Sequence, residues 1–325
     1  MIENNKVDVK ENYILKLDND LLALLLKDRS SGKNLIWATD IYAAKGPSFF
    51  AYSQMSMNAV SGRYGNVIKP RIEKSKKEQQ IRIRDKAEVF TPSWICNSQN
   101  NLVDEAWFGR KNVFNKELDK SWKTVKTKIK IPEGKTWQEY VQANRMEISC
   151  GEAPYLASRY DTVTGEIIDV KNRIGLLDRK LRIVDENTEK EEDWYKWAIE
   201  AFKSIYGYDC QGDNVLIARE NLLFTFADFY YNKFKVAPIK KYLLEIADIL
   251  TWNIWQMDGL KFVIPNSCKP IPKLQLSIFD NEETNAICPG CLKNNNNKHI
   301  GVYSKIKNWE TKRAVKFVSL FGRKK

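Results

Sequence analysis

The chain has 325 residues, 43% hydrophobic and 29% charged, with 53 Lys+Arg against 41 Asp+Glu and a formal net charge of +12. That composition describes an ordinary globular protein long enough for one or two cored domains. No apolar run reaches about 18 residues, the start Met1-Ile2-Glu3-Asn4-Asn5-Lys6 is polar, and the six cysteines are scattered. Together these exclude a membrane helix, a signal peptide and a disulfide scaffold, and predict a cytoplasmic protein.

Residues 13–68 carry short apolar runs broken by Ser30-Ser31-Gly32 and Lys45-Gly46-Pro47, which predicts a small β-rich or mixed region. Residues 69–88 are basic and are expected to wrap a surface. Residues 93–107 have helical spacing, with Trp94, Ile95, Leu102, Val103, Ala106 and Trp107 apolar. A lysine-rich excursion over 110–135 ends at Pro132-Glu133-Gly134, and Thr136 opens a short helix over 137–143. Met146–Leu156 reads as strand, tight turn and helix, the form that brings backbone close to a nucleotide-like ligand. A hairpin is expected around Thr162-Val163-Thr164-Gly165, an alternating segment over 174–184, and a helix capped by Asp193 to about Ser204. A strand over 205–210, a long apolar helix over 214–234, a helix over 239–251 and a strand from Trp252 complete a βαβαβ order, which predicts a parallel sheet.

Lys and Arg are concentrated: nine against four acids over 60–90, nine against three over 110–135, and eight against one over 305–325. Such clusters favour a polyanionic partner, most commonly nucleic acid. Lys69, Arg71, Lys74, Lys76, Lys77, Arg82 and Arg84 in the first cluster are candidate phosphate contacts on double-stranded DNA. Lys123, Lys126 and Lys128 in the second are the others, and some of the ten tryptophans could stack on bases.

Four segments resemble, in order, the motifs of adenine-N6 DNA methyltransferases, the family of modification subunits in restriction–modification systems. Glu88-Val89-Phe90-Thr91-Pro92 is similar to the segment preceding their cofactor domain, so Phe90, Thr91 and Pro92 are implied contacts to S-adenosylmethionine (SAM). Glu147-Ile148-Ser149-Cys150-Gly151 resembles the first cofactor motif, with Ile148 for the usual proline and Ala153 for a second glycine; it implies Glu147, Cys150 and Gly151. Ile205–Asp209 resembles the second, whose acid (here Asp209) binds the ribose, and Ala218–Leu223 matches the helix after it. Gln256-Met257-Asp258-Gly259-Leu260 resembles the third, whose acid (here Asp258) faces the adenine. The resemblance departs in two places. Glu147 and Asp209 are 62 positions apart, so 157–192 reads as an insertion that could be a DNA-contacting arm. The family's catalytic Asn/Asp/Ser-Pro-Pro-Tyr/Phe is missing, since the chain has no Pro-Pro pair. Residues 314–321 are the nearest candidate for a fourth strand, and a second subunit supplying the catalytic motif, or a restriction subunit, is an expected partner.

Cys288-Pro289-Gly290-Cys291 is a metal-knuckle pattern. With Cys268 upstream and His299, the single histidine, downstream, it predicts a Cys3His zinc set, against the alternative of two free thiols in a surface turn. The expected fold class is thus α/β, a partial Rossmann-like SAM-methyltransferase sheet. The expected layout is 1–87 as a mixed basic region, 88–262 as the methyltransferase-like domain, and 263–325 as a zinc-knuckle-like and basic segment. Two other readings stand beside the methyltransferase. One is a non-catalytic DNA-binding or regulatory protein with a remnant SAM fold and a zinc site. The other is a Mg²⁺ nuclease using Asp161, Asp169 and Lys171.

Overall fold

The N-terminal sequence places Leu21, Leu22, Leu25 and Leu26 at helical spacing, and all four are buried. They belong to α2 (Asn19–Leu25) and its C-cap, which follows α1 (Glu11–Leu17); Asp18 caps α2 by accepting the N–H groups of Asp20 and Leu21. Of the two alternatives for this region, β-rich or mixed, the β-rich one is corrected, because the extended pairing is limited to isolated bridges such as Lys27–Asn34 and Ile36–Gln54 beside the helices. The computed structural model describes residues 7–8, 10–268, 271–272, 285–286 and 288–321, so the polar Met1–Lys6 start and most of 269–287 lie outside the described residues. Short helix α3 (Met57–Val60) precedes α4 (Lys76–Lys86), which Ser75 caps. The basic 69–88 stretch is therefore partly a helix rather than a surface strap.

Helix α5 (Ser93–Phe108) falls where its spacing predicts. The lysine-rich excursion is a hairpin, β1 (Asn115–Leu118) paired antiparallel with β2 (Ser121–Thr124). Helix α6 (Trp137–Gln142) starts with a reciprocal capping box between Thr136 and Glu139. After β3 (Arg145–Ile148) the expected helix does not form. Ser149, Gly151 and Ala153 all have positive φ, and Pro154 follows, so the chain winds through turns instead.

Regular helix resumes at α7 (Leu176–Asn187), whose Leu177, Leu181, Ile183 and Val184 are fully buried. The 174–184 segment is thus a core helix, and the reading of 157–192 as a projecting arm is corrected. Next come α8 (Glu191–Lys203), β4 (Ile205–Asp209), α9 (Gly212–Phe234), α10 (Lys240–Asn253) and β5 (Ile254–Gln256). Helix α8 begins two residues before Asp193, with Lys190 at its cap. Helix α9 is buried on every side from Gly212 to Tyr230, as expected of a helix apolar all round.

The sheet at the centre is parallel, in the order β3-β4-β5, with Glu147 opposite Gly207 and Asp209 opposite Gln256. Among the described residues no strand lies outside β3, and Met146 and Ile148 on it are exposed. The C-terminal part holds the short pairs β6 (Ile271–Pro272) with β7 (Asn285–Ala286), helix α11 (Pro289–Leu292), and β8 (Lys305–Lys307) antiparallel to β9 (Ala314–Lys316). The 314–321 segment therefore adds no fourth strand to the central sheet. Its Phe317 instead packs on Tyr208, Trp255 and Phe262.

One hydrophobic core runs from Ile14 to Ile254, so apolar side chains on both sides of residue 87 share it. The fold is mixed α/β with small sheets. No helix among the described residues is long and apolar enough to cross a membrane.

Candidate functional site: a cation-free cleft and a Cys3His cluster

The loops at the carboxyl ends of β3 and β4, with residues 87–91, line a cleft of about 480 Å³. In a parallel sheet that end is where ligands settle, because the turns there can be shaped without breaking the ladder. The cleft gathers Phe90, Thr91, Glu147, Cys150, Gly151 and Asp209 from segments far apart in sequence. Pro92 and Asp258 are not in its wall. Asp258 turns its carboxylate onto the N–H groups of Leu260 and Lys261 and pairs with the Lys261 ammonium at 3.3 Å, which closes a turn after β5.

Two buried carboxylates build the floor. Glu147 accepts the N–H groups of Tyr155 and Leu156 at 3.4 and 3.2 Å, tying down the irregular turn where the helix was expected. Burial pushes its pKa well above the usual carboxylate range, against those two donors. Asp209 accepts from Gln211 N–H at 2.9 Å and Gly151 N–H at 3.0 Å. Burial raises it to about 6, with the donors opposing and the charges of Glu88 and Asp213 adding. Gly151, at φ +52°, faces the Phe90 ring; a Cβ there would sit 3.6 Å from the ring in a strained backbone.

Sequence reasoning missed Glu88, Tyr155, Gln211 and Asn214, which also line the cleft. Glu88 precedes the Phe-Thr-Pro segment and Gln211 follows Asp209, so adjacency to the motifs was the available signal. Glu88 Oε1 and Asn214 Oδ1 are buried acceptors with no partner in the protein. Three carboxylates line the cleft and no Lys, Arg or His does.

The first basic cluster divides. Lys76, Lys77 and Arg84 are exposed, and Lys69 and Arg71 are half-buried, with the Arg71 guanidinium 5.1 Å from the Phe90 ring centroid. Lys74 and Arg82 are buried and are not surface phosphate contacts. Arg82 pairs with Asp213 and, at 2.9 Å, with Glu88; the charge of Lys74 lowers Asp213. These cations offset the carboxylates behind the cleft, which is why burying them is tolerable. Lys123, Lys126 and Lys128 are exposed around the β1–β2 hairpin. Of the nuclease residues, Asp161 and Asp169 line one cleft beside the β1–β2 hairpin and Lys171 is outside its wall. Asp161 is occupied by the N–H groups of Ser93, Val163 and Thr164 at 2.7–2.9 Å, and Asp169 and Lys171 are exposed.

Among the described residues, the side chains grouped for a metal are Cys268, Cys288, Cys291 and His299, whose ligand atoms lie within 4.8 Å of one another. His299 Nδ1 is 3.6 Å from each of the three Sγ atoms. A tetrahedral ion with Zn–S of about 2.3 Å and Zn–N of about 2.0 Å would have S···N edges of about 3.5 Å. Cys288 also accepts the Ile300 N–H at 3.4 Å. Burial raises its pKa, but backbone donors led by Ile300 outweigh that and bring it down to about 6, toward the thiolate a metal needs. Gly290 packs so closely on His299 that a Cβ would lie 2.6 Å from its Nδ1. The cluster can hold a metal such as zinc.

The metal segment is joined to the sheet: Ile264 N–H donates to Val302 O at 2.8 Å, and Ser304 Oγ to Gln256 O, on β5, at 3.2 Å. Comparison of the chain with protein-family profiles, with curated proteins and with solved structures returned no match.

Proposed function

We propose that the cleft beyond β3 and β4 binds S-adenosylmethionine, and that the chain is a methyltransferase-like modification subunit acting on DNA. One observation carries the cofactor reading: the cleft wall holds carboxylates and aromatic rings and no cation. Nucleotides and dinucleotides bear phosphates, for which this wall offers no cation. SAM has no phosphate and carries a sulfonium and an ammonium. Carboxylates stabilise both, and a ring face such as that of Phe90 or Tyr155 attracts the sulfonium. The partnerless oxygens of Glu88 and Asn214 would accept from the ribose hydroxyls or the ammonium, relieving their unpaired burial. Gly151 lets the backbone approach the ligand, and Glu147 holds the turn that carries it.

When bound, SAM supplies an electrophilic methyl group. The residues here bind and orient it. The chain holds no Pro-Pro clamp for a flipped adenine. A partner supplying that clamp fits the reading, and the zinc segment then braces β5 structurally, since four protein ligands leave no open position for water. Calorimetry with SAM, and with ATP and NAD as phosphate-bearing controls, tests the cofactor claim. SAM should bind and the other two should not; tight ATP binding, or no SAM binding at about millimolar ligand, would sink it. The purified chain alone is expected not to transfer labelled methyl groups to DNA.

A further inference from the structure

The β1–β2 hairpin overhangs a second and larger cleft, of about 1040 Å³, walled by Pro92, Ser93, Trp94, Leu118, Trp122, Lys123 and Lys126, among others. It adjoins the cofactor cleft in sequence and in space, because residues 87–91 line one and 92–94 the other. Two of its residues stand apart from all others of their type. The chain has ten tryptophans. Trp37, Trp107, Trp137, Trp194, Trp197, Trp252, Trp255 and Trp309 each have an aromatic ring or a cation against the indole. Among the described residues Trp94 and Trp122 have neither, and both line this cleft.

Trp122 is held in place: its Nε1–H donates to Asn172 O at 2.8 Å, and Thr124 Oγ1 bonds Asn172 Oδ1 at 3.0 Å. Trp94 is 37% exposed on the first turn of α5. Along the hairpin the charge is one-sided, although the cleft wall as a whole sets Lys120, Lys123 and Lys126 against Asp161, Glu166 and Asp169. Residues 110–130 hold eight Lys/Arg against two acids, all eight cations are exposed, and among the described residues none forms an ion pair. An indole left without a ring partner beside unpaired lysines is the combination that holds a single nucleic-acid strand, with rings for bases and ammoniums for phosphates.

We infer that this cleft binds an unpaired nucleic-acid strand, stacking its bases on Trp94 and Trp122 while Lys123, Lys126 and their neighbours hold the phosphates. The inference rests on the reading of the chain as a DNA-acting protein and names where an unpaired base goes. The wall also holds the carboxylates of Asp161, Glu166 and Asp169; Asp161 is engaged by three N–H donors while Glu166 and Asp169 are exposed, so the phosphates belong on the Lys123 and Lys126 side of the cleft.

Fluorescence anisotropy with three end-labelled probes separates the parts: a thymidine 12-mer, an abasic strand of the same length, and the matching duplex. The thymidine strand should bind at least about fivefold more tightly than the abasic one, the lower end of what one base–aromatic stack contributes. Trp94→Ala and Trp122→Ala should each shrink that ratio, and Trp122→Phe should restore part of it, with melting curves confirming the fold. Lys123→Gln and Lys126→Gln should weaken both strands alike and flatten the salt dependence. Equal affinity for thymidine and abasic strands, or a ratio untouched in both alanine variants, would overturn the inference and leave DNA binding standing. Failure of every probe to bind at low salt would overturn the DNA reading itself.

Discussion

Asp209 shows what a single buried carboxyl can report. Its pKa, near 6, lies above the usual 3.8, so the unliganded fold binds its proton more tightly than the unfolded chain does. Between those two values stability falls as pH rises, because the charged form must be kept out of water. A cationic ligand needs that charged form. Affinity for SAM is therefore predicted to climb as pH rises toward about 6 and to level off above it, by calorimetry across that range. Asp209→Asn should abolish the climb and weaken binding by about tenfold, the loss of one hydrogen bond to a charged group.

Gly290 makes a second residue-scale test. Gly290→Ala pushes a Cβ into His299, so zinc measured by elemental analysis should drop below one equivalent and the melting temperature should fall. Zinc retained at one equivalent in the variant would show that His299 does not need its present position.

At the scale of elements, α5, α6, α7 and β1 are joined by a buried polar knot. Asp104 pairs with Arg179 at 2.5 Å and accepts the Tyr140 hydroxyl at 2.8 Å, while Arg179 also reaches Asn97 and Asn97 bonds Asn115. Removing one member of a buried ion pair strands the other without solvent. Asp104→Ala is thus expected to cost about 3–5 kcal/mol in urea unfolding, far more than a surface pair would. Arg179 belongs to the stretch that reads as alternating basic and apolar residues, and the knot explains why that reading misled. Lys180 donates to Val141 O and Ala143 O, so two charged side chains face inward on a core helix, and periodicity counts them as outward.

Where side-chain type and facing agree, the sequence was legible: α5, α6, β4, α9 and α10 lie within a few residues of expectation, as does the parallel order. The Cys3His set was legible too, because metal-ligand spacing is a local property. The absence of a helix after the turn that follows β3 was not, since the left-handed residues Ser149 and Ala153 that replace it carry no sequence signature of their own. Nor were Arg82 and Lys74, whose pairing with acids distant in sequence only the fold reveals.

For the whole molecule, the net charge of +12 is gathered on exposed segments rather than spread evenly. Duplex DNA should accordingly bind with strong salt dependence, losing at least about tenfold between roughly 50 and 200 mM salt as counterions are no longer released at a profit. A flat titration would mean that the lysines do not meet phosphates.

The same charge has a second effect, through the open side of β3. An edge strand that no other strand among the described residues pairs with on that side, and that exposes Met146 and Ile148, is a template on which another copy can lay a strand. Mutual repulsion of like-charged chains holds copies apart while the solution is dilute in ions, and screening removes that protection within about 10 Å at 0.1 M. Colloidal behaviour should then run opposite to that of most proteins salted in from low ionic strength. Light scattering should find this chain dispersed at low salt and clustering as salt is raised, and Ile148→Lys should keep it dispersed throughout.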